Sequence, residues 1–261
     1  MQAGRCRAAA ARAKPARLSG DGFLTDHSST TTAPRPVGDA HAPLALVIFD
    51  CDGVLVDSEP ISLARLTAGL NGIGVPMDVE TVRVRFAGTS MTSIMAHIAR
   101  DYPVTVPDDF VATVKADTLR AFDAGLTAMP GVARAVAGLA LPHCVASSSD
   151  PVRLAHTLGL TGLLPLFAGR VYSSTMVARG KPAPDLFLHA AAAMGADPRA
   201  CLVVEDSVPG VQAARAAGMR VLGFTGGGHW THDRGGADLV AAGAARVFDD
   251  FSGFAALVAS A

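Results

Sequence analysis

The sequence has little net charge, no paired-cysteine motif and no long apolar run, and each absence excludes a class of protein. Its 22 Lys and Arg nearly balance its 23 Asp and Glu, so no broad basic field is available for nucleic acid or for a membrane surface. No apolar run approaches the roughly 20 residues that a membrane-spanning helix needs. We therefore expect no nucleic-acid partner and no membrane partner.

The four cysteines form no CxxC pair, which argues against a disulfide framework and against a zinc site. Three of them lie in or beside apolar runs, where a small buried thiol is the ordinary interpretation. The four are Cys6, Cys51, Cys144 and Cys201. This pattern favours a reducing compartment, and we expect a cytoplasmic protein.

The composition predicts that most of the chain is globular, because half of its 261 residues are hydrophobic and only 17% are charged. Residues 1–43 differ from the rest: Arg and Lys recur with no acid before Asp21, and a polar run follows at 28–32. We predict that this N-terminal extension is disordered. It resembles a transit peptide, but we favour an extension without function or a start codon placed too far upstream.

Four short apolar runs predict strands that are buried on both faces, as in a parallel sheet. Helix signals lie between them, since Asp150 precedes Pro151 and Ser207 stands two residues before Pro209. Strands that alternate with helices predict an α/β fold with a doubly wound parallel sheet. The four runs are residues 44–49, 143–146, 201–204 and 220–224.

Residues 58–127 break this alternation and have the hydrophobic spacing of helices. We predict a small helical domain over 58–127, inserted into a core that consists of residues 44–57 and 128–261. The methionines in the second apolar stripe are interpreted as core packing. The two stripes are Leu63, Leu66, Leu70 and Ile73, then Met91, Ile94, Met95 and Ile98.

Polar residues stand where three of the predicted strands end. Because the carboxyl ends of parallel strands border the ligand crevice, we expect these groups to converge. Converging carboxylates repel one another unless a hard cation such as Mg²⁺ neutralises them, and the lack of a His/Cys set argues against zinc. Lys181 adds a fixed positive charge. The residues at the strand ends are Asp50 and Asp52, then Ser147, Ser148 and Ser149, then Glu205 and Asp206.

In chain order these residues resemble the four motifs of the haloacid dehalogenase (HAD) superfamily. The run 50–59 is similar to the first motif, Val145-Ala146-Ser147 to the second, and Lys181 to the third. Glu205-Asp206-Ser207, followed by Gly210 and Gly218, is similar to the fourth. The inserted block resembles the C1 cap of the subfamily that includes phosphoglycolate phosphatases, sugar-phosphate phosphatases and β-phosphoglucomutase. The resemblance covers about residues 44–225 and implies a Rossmann-like core with an inserted helical cap.

The resemblance implies a Mg²⁺-dependent phosphatase. Asp50 would attack phosphorus to form an aspartyl-phosphate, and Asp52 would protonate the leaving alcohol and then activate water. Mg²⁺ would be held by the Asp50 carboxylate, the Asp52 carbonyl and Asp206, with Glu205 acting directly or through water. The implied catalytic residues are Asp50, Asp52, Ser147 and Lys181. The residues predicted to bind phosphate or substrate are Gly53, Ser90, Ser147, Ser148, Ser149, Lys181 and His229.

Three other functions are weighed against a phosphatase. A dehalogenase of this superfamily lacks the second aspartate, which is present here as Asp52. A phosphomutase has a hinge histidine where this chain has Ser62, and an arginine for the second phosphate where it has Met91. A non-catalytic phosphate-binding protein is expected to lose Asp50 or Asp52, and both remain.

The substrate is predicted only as a small phosphorylated metabolite. The inserted block has few charges near the segment 88–91, which favours a neutral sugar or polyol phosphate, while phosphoglycolate or a sugar-acid phosphate stays open. The glycine-rich segment 226–230 follows the strand 220–224, and His229 or Trp230 is expected either to touch substrate or to lie in a surface loop. We expect hinges near 57–59 and 125–130, and a monomer or weak homodimer.

Overall fold

A computed structural model describes residues 42–86, 89–230 and 236–261, so nearly all of the predicted extension at 1–43 lies outside the described residues. The described chain forms one six-stranded sheet in the order β3-β2-β1-β4-β5-β6, and every neighbouring pair is parallel. The strands are β1 Leu46–Phe49, β2 His143–Ser147, β3 Val171–Ser173, β4 Cys201–Glu205, β5 Arg220–Phe224 and β6 Arg246–Phe248.

Ten α-helices are seen in the described residues; five lie between β1 and β2, and the first four of these fall within 58–127. These four are α1 Glu59–Gly72, α2 Val79–Phe86, α3 Met91–Asp101 and α4 Phe110–Gly125. The others are α5 Val132–Ala137, α6 Pro151–Leu160, α7 Asp185–Ala193, α8 Val208–Ala216, α9 Ala237–Ala242 and α10 Phe254–Ala259. Within the described ranges, no helix is both long enough and apolar enough to cross a membrane.

The central strand β1 shows why the sheet needs helices on both faces. Its four residues are fully buried, and alternate side chains enter different cores because successive residues of a strand point to opposite faces. Val47 and Phe49 pack with α5, α6 and α10, whereas Leu46 and Ile48 pack with α7, α8 and α9. The predicted doubly wound α/β core is confirmed.

Helices α1 to α4 have an apolar cluster of their own, which contains most of the two predicted stripes. Leu63, Leu66 and Leu70 of α1 are buried there, with Ile94 and Ile98 of α3. An antiparallel bridge between Val56 and Ala128 joins the chain where it leaves and re-enters the sheet region. The division into a core (44–57 and 128–261) and a cap (58–127) stays a prediction.

The two edge strands were not predicted, because β3 and β6 have three residues each and are only partly buried. Runs of that length have no periodicity that separates a strand from a loop. The predicted helix starts are confirmed by capping bonds. The Asp150 side chain accepts from the Arg153 amide at 3.0 Å, and the Ser207 hydroxyl accepts from the Gly210 amide at 3.2 Å.

Candidate active site

Three neighbouring strands deliver polar side chains to one edge of the sheet. Asp50 follows β1 directly, Ser147 is the last residue of β2, and Glu205 is the last residue of β4. Because β1 lies between β2 and β4 and all three run parallel, these residues meet although they are distant in sequence. The sheet therefore brings together the groups that the sequence placed at strand ends.

Three buried carboxylates form the centre of this edge. One oxygen each from Asp50, Glu205 and Asp206 lies within 4.8 Å of the others, and the residues are only 7%, 0% and 6% exposed. Burial raises the pKa of Asp50 well above its usual value; Lys181 lowers this pKa, while Glu205 and Asp206 raise it. Burial also raises the pKa of Asp206. A buried set of oxygen ligands with excess negative charge fits a hard divalent cation such as Mg²⁺.

Lys181 partly offsets this negative charge. Its Nζ donates to Asp50 Oδ1 at 2.8 Å and to Glu205 Oε1 at 2.6 Å, and its side chain is 5% exposed. Burial lowers the pKa of Lys181, but Asp50 and Glu205 raise it by more than burial lowers it. The net direction is upward, so the ammonium stays charged. Nζ also lies 5.0 Å from the centre of the Phe187 ring. One cation thus holds two of the three carboxylates.

Two glycines make room for the acids. A Cβ added at Gly210 would lie 1.8 Å from Glu205 Oε1, and one at Gly53 would lie 1.9 Å from Asp206 Oδ2. Gly53 also has φ +77°, a conformation that side chains rarely adopt. Gly53, predicted to bind phosphate, is placed against the acidic cluster.

Asp52 is held by a different set of groups. Its Oδ1 accepts from Ser58 Oγ at 2.6 Å and from Arg153 Nη2 at 2.6 Å, and its Oδ2 accepts from Ser149 Oγ at 2.5 Å. Burial raises the pKa of Asp52, but Arg153 and the hydroxyl donors lower it more, so the net direction is downward. Both oxygens of Asp52 therefore have donors, and one of these donors is the guanidinium cation of Arg153.

The serine cluster after β2 is built into a turn beside β3. Ser147 is buried, and its hydroxyl accepts from the Ser149 amide at 3.1 Å. The Ser149 carbonyl accepts from Ser173 Oγ at 2.7 Å, and the Ser148 carbonyl accepts from Ser174 Oγ at 2.8 Å. The end of β3 thus fixes the backbone of the predicted phosphate-binding turn.

The loop after β5 brings His229 to the acidic cluster. His229 Nε2 lies 3.2 Å from Asp206 Oδ2, and its side chain is 10% exposed. Burial lowers the pKa of His229, but the bond to Asp206 and the nearby carboxylates raise it, with a net upward direction. The Gly228 amide donates to Asp57 Oδ1 at 2.9 Å, and Arg83 Nη1 of α2 donates to the His229 carbonyl at 3.4 Å. This loop is therefore tied to both the core and α2.

The predicted residues of the inserted helices lie in different settings. Ser90 is exposed and caps α3, where its hydroxyl accepts from the Ser93 amide at 3.2 Å. Met91 packs on the apolar cluster of the helices, and Ser62 of α1 accepts a bond from Arg153 at 3.1 Å. Gly88 lies outside the described residues. No described contact joins Ser90 to the acidic edge, so its substrate role stays a prediction.

Sequence reasoning missed three residues of this site. Arg153 bonds Asp52; the capping signal at Asp150 already placed it in the first turn of the helix that follows the serines. Ser58 is completely buried against Asp52. Burial raises the pKa of Glu59 to about 7, and Asp52 also raises it. Ser58 and Glu59 lay within the first motif run, but no pattern indicated their contacts.

The chain matches the model of the haloacid dehalogenase-like hydrolases over residues 44–218. It is similar to 6-phosphogluconate phosphatase of Escherichia coli K12, with 34% identity over 184 residues, which is 70% of this chain and 83% of that protein. It is also similar to fructose-1-phosphate phosphatase YqaB of the same organism, with 30% identity over 176 residues, 66% of this chain and 92% of that protein.

Among solved structures, the fold is similar to that of a conserved haloacid dehalogenase-like protein of unknown function from Agrobacterium tumefaciens. The TM-score is 0.76 at 37% sequence identity, and the alignment covers 83% of this chain and 98% of that one. The predicted class of enzyme, a HAD-type phosphatase, is confirmed by the family match together with the phosphatases among its relatives. From its motifs, its sheet and these relatives, the chain belongs to the haloacid dehalogenase-like hydrolase family.

Proposed function

We propose that the protein is a Mg²⁺-dependent phosphomonoester hydrolase that forms an aspartyl-phosphate on Asp50. The observation that carries the proposal is the position of Asp50, which is bonded to Lys181 and lies in one buried cluster with Glu205 and Asp206. A carboxylate in that position has a neighbouring cation and a set of metal ligands around it. Phosphoryl transfer depends on such positioning and charge stabilisation.

The residues proposed to hold Mg²⁺ are Asp50, Asp206 and Glu205, with the backbone carbonyl of Asp52. When bound, the ion supplies positive charge that offsets the carboxylates and the phosphate oxygens. In the described chain these three carboxylates are the group whose oxygens approach closely enough for one ion. Lys181 supplies the one fixed ammonium charge that the cluster itself contains.

Asp50 acts as the nucleophile in the proposed reaction. Its carboxylate oxygen forms a bond to phosphorus while the bond from phosphorus to the substrate oxygen breaks. Lys181 favours the ionised carboxylate, because it lowers the pKa of Asp50 against the upward effect of burial and of the neighbouring acids. Ser147, the Ser148 amide and Lys181 are proposed to hold the phosphoryl oxygens.

Asp52 acts as acid and then as base. In its protonated form it gives its proton to the leaving oxygen. As a carboxylate, the form that Arg153 and the hydroxyl donors favour, it then takes a proton from the water that hydrolyses the aspartyl-phosphate. Inorganic phosphate leaves and both aspartates return to their starting states. The bonds from Ser149 and Arg153 hold the Asp52 side chain in place between these steps.

The proposed substrate is a small phosphorylated sugar or polyol. Ser62 stands where a mutase has its hinge histidine, and Met91 stands where it has an arginine for a second phosphate, so this chain lacks both groups. A sugar-acid phosphate is the second candidate, because the chain is 34% identical to a 6-phosphogluconate phosphatase. His229 is proposed to contact the leaving group from the loop after β5.

The test is release of inorganic phosphate from a panel of sugar, polyol and sugar-acid phosphates, with p-nitrophenyl phosphate, in the presence and absence of Mg²⁺. We expect Mg²⁺-dependent release, and we expect Asp50→Asn to abolish it. Asp197→Asn is the matched control, because Asp197 is exposed and its side-chain bonds within the described residues are to Arg199 at the surface. No release from any substrate, or full activity in Asp50→Asn, would contradict the proposal.

A further inference from the structure

One arginine joins the Asp52 carboxylate to the inserted helices. Arg153, in the first turn of α6, donates from Nη2 to Asp52 Oδ1 at 2.6 Å and to Ser62 Oγ of α1 at 3.1 Å. Its Nε lies 3.3 Å from the same oxygen of Asp52. Its guanidinium carbon lies 4.8 Å from the centre of the Phe122 ring in α4. A single side chain thus contacts the loop after β1, helix α1 and helix α4.

The position of Arg153 is fixed locally and is shielded from solvent. Asp150 caps α6 by accepting from the Arg153 amide, which sets this residue in the first helical turn. The side chains of Arg153 and Asp52 are 21% and 15% exposed. Charge-assisted bonds from a guanidinium fork fix orientation as well as distance, and they strengthen where water is scarce.

We propose that Arg153 is a positioning residue that sets the orientation of the Asp52 carboxylate and ties it to the packing of α1 and α4. The inference rests on the proposed function, in which Asp52 protonates the leaving oxygen. Arg153 holds Oδ1 and Ser149 holds Oδ2, so the plane of the carboxylate is fixed from both sides. A shift of α1 moves Ser62, and therefore changes the bonds of the guanidinium that holds Asp52.

Arg153 transfers no proton itself in this scheme. The proton moves from the Asp52 carboxyl group to the substrate oxygen as the bond to phosphorus breaks and the bond to Asp50 forms. An alkoxide needs that proton, whereas p-nitrophenolate is stable without it. Misplacement of Asp52 must therefore slow an alkyl phosphate far more than p-nitrophenyl phosphate, which a general loss of structure does not do.

The experiment compares kcat/KM for p-nitrophenyl phosphate and for the sugar or polyol phosphate that the wild type hydrolyses fastest. The value of kcat/KM depends on the steps up to release of the leaving group, and it does not depend on the later hydrolysis of the aspartyl-phosphate. We expect Arg153→Ala to lower kcat/KM about 10²-fold for the alkyl phosphate and about threefold or less for p-nitrophenyl phosphate. Arg153→Lys keeps the charge without the fork, and we expect an intermediate, equally selective loss.

Two further variants complete the test. Ser62→Ala removes the bond to α1 alone, and we expect a selective loss of about threefold to tenfold on the alkyl phosphate. Arg199→Ala changes an exposed arginine that pairs with Asp197, and both substrates should be unaffected. Equal losses on both substrates in Arg153→Ala and Arg153→Lys overturn the positioning role, and an unchanged ratio in Ser62→Ala overturns the link to α1. A wild type that hydrolyses neither phosphate instead contradicts the proposed function.

Discussion

Asp50 and Asp52 stand two residues apart and are both buried, but different parts of the molecule hold them. Asp50 is bonded to Lys181 and lies among other carboxylates at the end of the sheet. Asp52 is bonded to Arg153 and to hydroxyl groups, and through Arg153 it is joined to the inserted helices. Burial raises the pKa at both positions, yet the net direction is upward for Asp50 and downward for Asp52.

The difference shows that the partners, and not burial, decide what each carboxylate can do. Asp50 lies in a cluster where negative charge exceeds the charge of Lys181, which suits a group that shares a cation with phosphate. Asp52 has a donor for each oxygen, which fixes its orientation and favours its carboxylate form, the form that activates water in the proposed second step. Changes around Asp50 should affect all substrates alike, and changes around Asp52 should depend on the leaving group.

The largest effect is expected from Lys181→Met, which removes the ammonium between Asp50 and Glu205. We expect kcat/KM to fall by roughly 10²–10³ for every substrate, because the lost charge acts on phosphate and not on the leaving group. The free energy of unfolding of the metal-free protein should fall by about 3–5 kcal/mol, because two buried carboxylates lose their partner. Initial rates and urea unfolding measure the two quantities.

The control for Lys181→Met is Lys115→Met, which changes a lysine of α4 that is 59% exposed. Activity should not change, and the free energy of unfolding should change by no more than the small contribution of an exposed ion pair. A loss in Lys181→Met that grew with the basicity of the leaving group would show that Lys181 belongs with Asp52 and not with Asp50.

The next effect concerns metal dependence. Asp206→Asn removes one of the three clustered carboxylates, and we expect the Mg²⁺ concentration for half-maximal activity to rise by at least about 10-fold to 100-fold. The rise in Tm that we expect Mg²⁺ to give the wild type should shrink in parallel, since a ligand stabilises the state that binds it. Asp52→Asn should keep that rise, because its carbonyl remains. An unchanged Mg²⁺ response in Asp206→Asn would refute the assignment.

A third prediction uses the opposite pKa directions. The pKa of Asp52 lies below its ordinary 3.8 in the folded state, so its stabilisation is present above that pH and is lost as pH falls. The pKa of Asp50 lies above 3.8, so its contribution is present at low pH and is lost as pH rises through the folded value. At neutral pH without metal, Asp52→Asn should therefore cost about 1–3 kcal/mol and Asp50→Asn much less.

Urea unfolding from about pH 3 to pH 8 checks this prediction, because it gives both the free energy of unfolding and its slope against pH for each variant. Asp52→Asn should flatten the loss of stability on the acid side. The stability of Asp50→Asn relative to the wild type should increase from low pH toward neutral pH. If Asp50→Asn proves the more destabilising change at neutral pH, the contrast between the two carboxylates is wrong.

The smallest effect is expected from Ser58→Ala, which removes one hydroxyl from Asp52 and leaves Arg153 and Ser149 in place. We expect about a twofold to fivefold loss of kcat/KM on an alkyl phosphate and none on p-nitrophenyl phosphate, because one neutral donor contributes about 1 kcal/mol. Ser252→Ala is the matched control at an exposed position. A loss on both substrates would mean that Ser58 acts through the fold and not through Asp52.

The fold could be predicted from the sequence where elements are long or fully buried. The run that ends at Phe49 is apolar throughout because it lies between two layers of helices, and its four strand residues are completely buried. The cap signals at Asp150 and Ser207 identified two helix starts because the capping bonds are local. The short edge strands β3 and β6 were missed because pairing with a neighbour, and not their own pattern, makes them strands.

The same distinction, between what is set by the chain's own pattern and what is set by contacts, applies to the residues of the site. The acids at the strand ends could be placed because parallel strands bring their carboxyl ends together. The bond from Arg153 to Asp52 could not, because it depends on a side-chain direction from a helix across the crevice. His229 was predicted either to bind substrate or to lie in a surface loop. Its approach to Asp206 could not be predicted, because it depends on the backbone path of the glycine-rich segment.

The central claim is that Asp50 carries the phosphoryl group, and the most direct measurement is to trap it there. Asp52→Asn should still react with p-nitrophenyl phosphate, which needs no proton for its leaving group, but should hydrolyse the aspartyl-phosphate slowly. After an acid quench, peptide mass spectrometry should find one phosphoryl group on Asp50, and none in Asp50→Asn. A burst of p-nitrophenol with no phosphoryl group on Asp50, or with the group on another residue, would contradict the account.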